Sequence, residues 1–164
     1  MRRKDKETND SQEIEKILTK SKVGVVGMVV DNVAYSVPIN FIYYQKCIYF
    51  HSANEGKKIQ ALKENRNVSF LTFINGGVIT DKNPCKATQS FKSIMIEGRA
   101  EFVRNIDLKM DVFHKLVEKY YPKDEYDTLK RINAGNFTDE EINGVEVIKI
   151  NINNLTCKIG SWSN

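Results

Sequence analysis

Cysteine is scarce in this chain. Cys47, Cys85 and Cys157 form an odd set of three with no CxxC pair, and neither His51 nor His114 lies at ligand spacing from any of them. A disulfide scaffold is thereby excluded and no metal site is expected. Unpaired cysteines without an export signal point to the reducing cytoplasm. Long apolar runs are lacking as well: the longest, Val23 to Val30, has eight residues and two of them are glycine, whereas a membrane helix needs about 20. Neither membrane spanning nor signal-peptide export is expected. Only nine glycines and three prolines occur in 164 residues, which sets aside collagenous and low-complexity classes. The charge excess is small, +4, and Arg2, Arg3, Lys4 and Lys6 contribute to it. Residues 1–10 read as a basic flexible leader and 11–164 as a single domain, since this length leaves little room for a second core. The GxSxG, HExxH, GxxxxGK[ST] and GxGxxG signatures are all absent, and with them the fingerprints of common hydrolases, zinc proteases and nucleotide-binding enzymes.

What is present is mostly strand. Asp10 with Glu13 resembles a capping box, and Ile14, Ile17 and Leu18 share one helical face, so a short helix is expected over Ser11–Ser21. Val23–Val30 runs into the hairpin chemistry of Asp31-Asn32, and Val33 to Tyr43 reads as one second strand. Pro38 within it cannot donate to a ladder, which places it at an edge, at a bulge, or facing something other than a strand. Gln45-Lys46 turns the chain into a third strand ending at His51. A helix then opens near Lys57 and carries Ile59 and Leu62, and Val68–Ile74 forms a fourth strand. The polar run Asn75–Gln89 is a loop or a hairpin excursion. Phe91–Val103 is a long strand with a kink at Gly98, and Asp107–Tyr120 is a helix with Met110, Phe113, Leu116, Val117 and Tyr120 toward the core. A second short helix is read over Tyr126–Ala134, and Val145–Leu155 alternates cleanly with period two. Six or seven antiparallel strands on short links, with short flanking helices, give a mainly β fold and a closed or partly closed barrel.

Two features carry chemistry. In His51-Ser52-Ala53-Asn54-Glu55-Gly56-Lys57-Lys58 a hydroxyl, free backbone N–H groups and two ammonium groups converge on a helix N-terminus, where the dipole and unpaired donors favour an anion such as phosphate. The plainer reading is an ordinary helix start with solvated lysines. Successive helical residues lie about 100° apart, so one of Lys57 and Lys58 should dominate any phosphate contact, and Lys58, further past Gly56, is the choice. At Val37-Pro38-Ile39-Asn40 the missing donor could leave backbone groups free for the polar edge of a planar ligand, or could mark a plain bulge.

Taken in order, Val37-Pro38-Ile39-Asn40-Phe41, Ile48-Tyr49-Phe50-His51-Ser52-Ala53 and Glu55-Gly56-Lys57-Lys58-Ile59 resemble the FMN-binding split-barrel family related to pyridoxamine 5'-phosphate oxidase, and within it the nitroimidazole-resistance branch. The likeness runs more weakly through Phe91-Lys92-Ser93-Ile94 and Glu97-Gly98-Arg99-Ala100 to Tyr120-Tyr121-Pro122. It implies a homodimer with FMN at the subunit interface. Carried over by position, Pro38, Ile39 and Asn40 would present backbone to the ring, His51 and Ser52 would line the site, and Lys57 or Lys58 would meet the phosphate. Ser93, Lys158 and Trp162 are further cofactor-binding candidates, the last two toward the partner's flavin. No Arg follows Arg131 and no His follows His114, whereas the name-giving enzyme carries both residue types near its C-terminus; this argues against pyridoxamine phosphate oxidation itself.

The function so implied is an FMN-dependent oxidoreductase that passes electrons from a reduced nicotinamide or another donor to a small acceptor, a nitroaromatic compound being one. His51 is the candidate for catalytic proton transfer. The alternative is a non-enzymatic flavin-binding or redox-sensing module. A basic single-strand nucleic-acid barrel using Tyr43, Tyr44 and the Arg2-Arg3-Lys4 tail carries least weight.

Overall fold

The computed structural model describes residues 3–125, 127 and 137–162. Eight antiparallel strands form one sheet: β1 (Glu7–Thr8), β2 (Gly24–Val30), β3 (Val33–Ile39), β4 (Ile42–Tyr44), β5 (Cys47–Ala53), β6 (Asn67–Ile79), β7 (Thr88–Phe102) and β8 (Val145–Gly160). Helices α1 (Ser11–Lys20), α2 (Lys57–Glu64) and α3 (Ile106–Tyr120) flank it, with a short helix at Asp139–Asn143 before β8. Apart from residue 127, the expected helix over 126–134 lies outside the described residues.

The strand order is β3-β2-β6-β7-β8-β5-β4, with β1 on β8. The two end strands, β3 and β4, are consecutive in the chain and separated only by Asn40 and Phe41. The sheet therefore curls until its ends meet, and the seam between them is the split in the barrel. The sequence reads Val33 to Tyr43 as a single strand; the structure breaks it at this seam.

Local chemistry accounts for most elements. The side chain of Asp10 caps α1 by accepting from the N–H groups of Gln12 and Glu13. Asp31 and Asn32 (φ 51 and 59) make one two-residue hairpin turn, and Gln45 and Lys46 (φ 48 and 60) make another. The polar run after Ile74 is the extension of a long hairpin, with β6 reaching Ile79 and β7 starting at Thr88 across a register shift between Asn75 and Gly77. The kink at Gly98 is a bulge: Glu97 pairs with Asn154 and Gly98 with Ile152, leaving an extra residue on β8. Within the expected leader, Glu7 and Thr8 pair with Lys158 and Cys157.

The barrel interior is filled by side chains that include Val26, Phe41, Ile48, Phe50, Phe70, Ile94, Ile96, Ile148 and Ile150, closed by Ile17 and Leu18 of α1 and by Ile59 and Leu62 of α2. α3 packs on the outside over Ile42, Tyr49 and Val147. Leu116 is buried and Phe113 and Tyr120 pack against the same cluster, as expected, but the most buried positions also include Lys109 and Val112, while Met110 and Val117 are only partly covered. Lys109 tolerates burial because its Nζ donates to the carbonyls of Val145 and Ile142 at 3.3 and 3.5 Å.

Gly24 seats the seam. A Cβ there would lie 2.3 Å from the Phe70 ring and 3.1 Å from Phe41, and those two rings pack edge-on at 4.8 Å. Both are fully buried, so Gly24→Ala is expected to destabilise the protein by about 1–3 kcal/mol, read as a lower denaturant midpoint with an unchanged slope.

Candidate functional site

The ladder between β4 and β5 ends at Ile42 opposite Tyr49. Continued in the same antiparallel register, it would set Phe41 opposite Phe50 and Asn40 opposite His51, but no such pairing forms. The segments Pro38–Asn40 and His51–Ser52 thus confront each other along the split, where β3 is an end strand and β5 is paired on its other side to β8. Pro38 and Asn40 are exposed and Ile39 is buried. These three residues, chosen from sequence for their backbone, lie beside an opening in the sheet rather than in its interior.

Along β5 the side chains alternate. Ile48, Phe50 and Ser52 point into the barrel, while Tyr49 and His51 point toward α3. His51 and Ser52 therefore serve opposite faces: the Ser52 residue is buried and His51 is exposed beside Phe113, with ring centroids 6.1 Å apart. Although the residue as a whole is exposed, partial desolvation of its ring first, and the charge of Lys58 second, hold the His51 imidazole below its ordinary pKa of 6.5, which favours the neutral ring at pH 7.

β5 delivers the chain directly to α2. Gly56, at φ 104, occupies the left-handed region that favours glycine, and no side chain caps the helix there. By contrast Asp10, Asn105 and Thr138 cap the other helices. The first N–H groups of α2 thus keep their dipole and donors for an anion. The two lysines part company as helical geometry requires. Lys57 extends over the Tyr35 ring at 4.7 Å, and Lys58 over the Phe50 ring at 5.6 Å, near enough to His51 to bear on its titration. Burial lowers the Lys58 pKa, and among the described residues it makes no ion pair with a carboxylate. A phosphate would offset that burial cost. The donors, the lone ammonium and the bare helix start fit a phosphate group.

The remaining candidates lie elsewhere. Ser93 and Lys158 are cross-strand partners on the outer sheet face, three and four strands along from Pro38, roughly 14 and 19 Å at ~4.8 Å per strand. Trp162 sits at one barrel end, 4.9 Å over the Lys92 ammonium and against Gly76, in a cleft shared with Glu13, Lys16 and Lys20. Lys92 also pairs with Glu13. Within one chain neither Lys158 nor Trp162 joins the His51–Lys58 group.

Sequence reasoning missed the residues that bind the backbone at the seam. Lys119 and Tyr120 of α3 hold the backbone of Phe41, and Phe113 stands beside His51. No local pattern signals those roles, because each depends on a contact made far along the chain.

Among the described residues no helix is long and apolar enough to cross a membrane, and no cluster of His, Cys, Asp and Glu is arranged to hold a metal. Residues 10–159 match the profile of the family described as pyridoxamine 5'-phosphate oxidase. No curated protein matches the chain. Among solved structures, a Bacteroides thetaiotaomicron protein assigned to 5-nitroimidazole antibiotic resistance is 26% identical with a TM-score of 0.76, over 93% of this chain and 86% of that one. The flavocytochrome Anf3 of Azotobacter vinelandii is 21% identical with a TM-score of 0.84, over 99% and 72%. A FAD and heme binding protein of Mycobacterium smegmatis is 17% identical with a TM-score of 0.83, over 97% and 76%. The last two likenesses attest the fold.

Proposed function

The chain belongs to the pyridoxamine 5'-phosphate oxidase family, and from that premise we propose that it is a flavin-dependent oxidoreductase, holding FMN as a homodimer and passing electrons from a reduced nicotinamide or similar donor to a small acceptor such as a nitroaromatic compound. The observation that carries this reading is the meeting of an uncapped α2 N-terminus, His51 and the partly buried Lys58, which has no carboxylate partner among the described residues, with the open backbone of Pro38–Asn40 along the split.

The flavin, when bound, supplies the electron chemistry. The protein's own part is to bind, orient and move a proton. The α2 amides and Lys58 would take the phosphate, and the Pro38–Asn40 backbone would take the polar edge of the ring. Ser93 and Lys158 lie three and four strands along the sheet from Pro38, which favours their acting on a partner's flavin across the outer face.

The direct test is the visible spectrum of the purified protein. A yellow protein whose flavin bands bleach under anaerobic NADH or NADPH supports the enzyme. A yellow protein inert to every donor supports a flavin-binding module, and a colourless protein that takes up no added flavin overturns both.

His51 is the proposed proton-transfer group. General acid–base groups contribute about 10²–10⁴-fold, so His51→Ala is expected to slow turnover at least a hundredfold while flavin content stays complete. Because its pKa is held below 6.5, the neutral ring is available at pH 7, and activity that depends on it should fall only on acidification below 6.5. Unchanged turnover in the alanine variant at full flavin occupancy would remove His51 from the mechanism.

A further inference from the structure

The last two residues of α3 stand where Phe41 lacks a neighbouring strand. The Tyr120 hydroxyl accepts the Phe41 N–H at 2.8 Å and lies within donating distance of the Phe41 carbonyl (2.9 Å) and the Lys22 carbonyl (2.7 Å). The Lys119 ammonium donates to the carbonyls of Phe41 (2.9 Å) and Leu18 (3.2 Å) and sits 3.9 Å from the centre of the Phe41 ring. The Lys22 ammonium in turn donates to the Lys119 carbonyl. Both polar backbone groups of Phe41 are therefore satisfied by α3 instead of by Phe50 of β5. Without that substitution an unpaired strand edge tends to find a strand, and the β4–β5 register would carry Phe41 onto Phe50 and shut the split. The peptide joining Asn40 to Phe41 is trans, so its carbonyl points opposite to its N–H. With the N–H fixed on Tyr120, the Asn40 carbonyl is turned away from α3.

We propose that Lys119 and Tyr120 are positioning residues for the flavin ring, holding the Asn40–Phe41 backbone off β5 so that the Asn40 carbonyl meets the ring's polar edge. This rests on the flavin reading above, and neither side chain need touch the ring. Among the described residues two charged or titratable groups face Lys119: Lys22 and the Tyr120 hydroxyl. Burial, reinforced by the charge of Lys22, brings the Lys119 pKa down to about 8, whereas burial raises that of Tyr120 above its ordinary 10, so Tyr120 stays a hydroxyl while Lys119 titrates. Loss of the Lys119 proton replaces charge-assisted bonds to the Phe41 and Leu18 carbonyls with weaker neutral ones.

Stability and ligand binding then respond to pH with opposite sign. Between about 8 and 10.5 the unfolded chain keeps the Lys119 proton that the folded chain has lost, so this residue makes stability rise with pH in that window. Flavin affinity should fall as pH passes 8, because the clamp loosens. A Lys119 with a merely structural role would shift stability in that window while leaving flavin affinity flat across pH 8.

The experiment measures binding of FMN and of riboflavin to the flavin-stripped full chain, for the wild type, Tyr120→Phe and Lys119→Met, from pH 7 to 9. Tyr120→Phe is expected to weaken FMN and riboflavin by the same factor, about tenfold, since the ring and not the phosphate is affected. Wild-type affinity for both flavins should drop through pH 8, and Lys119→Met should show a flat profile. Wild-type affinity in Tyr120→Phe, or a wild-type profile that is flat or rising across pH 8, would overturn the proposal while leaving the flavin reading intact. Failure of the wild type to bind either flavin would overturn both. Should Lys119→Met fail to fold, the wild-type pH profile and Tyr120→Phe still decide.

Discussion

Replacing Lys58 by alanine is expected to weaken FMN binding ten- to a hundredfold while riboflavin, which has no phosphate, stays within about twofold. A charge-assisted hydrogen bond contributes about 1.5–3 kcal/mol, and 1.4 kcal/mol is a factor of ten in affinity. Lys58 is suited to deliver that contribution because it is partly buried, lies beside His51, and has no carboxylate partner among the described residues. Lys57→Ala serves as the internal control. Its ammonium lies over Tyr35 and its residue lines the cleft with Val30, Asp31 and Lys63, so its loss should change FMN affinity by less than threefold, within the range of exposed charges. Both lysines share the same helix start, so a difference between them cannot come from the helix dipole. Fluorescence titration of the flavin-stripped protein with the two ligands reads the result. Equal losses of FMN and riboflavin in Lys58→Ala, or a larger loss in Lys57→Ala, would place the phosphate elsewhere.

That contrast marks the boundary between what the sequence encodes locally and what only packing decides. The 100° step between helical residues requires Lys57 and Lys58 to diverge, but their directions depend on Tyr35 of β3 and Phe50 of β5 flanking α2. The strands themselves were legible, because Ile148, Ile150 and Ile152 alternate with polar residues and because Asp31-Asn32 and Gln45-Lys46 have the chemistry of their turns. The split was not. Val33 to Tyr43 is a continuous β-forming stretch, and its break at Asn40-Phe41 reflects a hydroxyl that arrives from Tyr120, 79 residues later. Pro38 left open an edge, a bulge or something other than a strand, and it lies on the end strand β3, paired on one side with Val25. Periodicity found part of the buried face of α3, Phe113, Leu116 and Tyr120, but not Lys109, which occupies a core position by donating to two carbonyls near the start of β8. In each case a polar group satisfied at long range overrode the apolar pattern.

The outer face of the sheet leads to the second large effect. Pro38, Val25, Leu71, Met95 and Thr156 are aligned across five strands, with Phe73 one step along β6 beside Ser93 and Lys158. Leu71 is 37% exposed, Met95 53% and Phe73 58%, which makes a connected apolar row rather than scattered side chains. The same face carries Pro38 at one end of the row and the Ser93–Lys158 pair near the other, three and four strands along. A second copy laid on this face by a twofold axis would cover the row and bring Lys158 of one protomer toward Pro38 of the other, as an isologous interface requires. A Leu71→Asp, Phe73→Asp double variant is therefore expected to sediment as a monomer and to lose at least tenfold in flavin affinity. Both side chains project from the sheet, so charges there should cost the isolated fold little, and circular dichroism should stay native. The linkage also runs in reverse: a ligand that binds only the assembled pair stabilises it by mass action, so stripping flavin from the wild type should weaken the dimer and lower the melting temperature. A double variant that remains a dimer, or a monomer that holds flavin as tightly as the wild type, would detach the flavin site from this face and leave Ser93 and Lys158 without a role in binding.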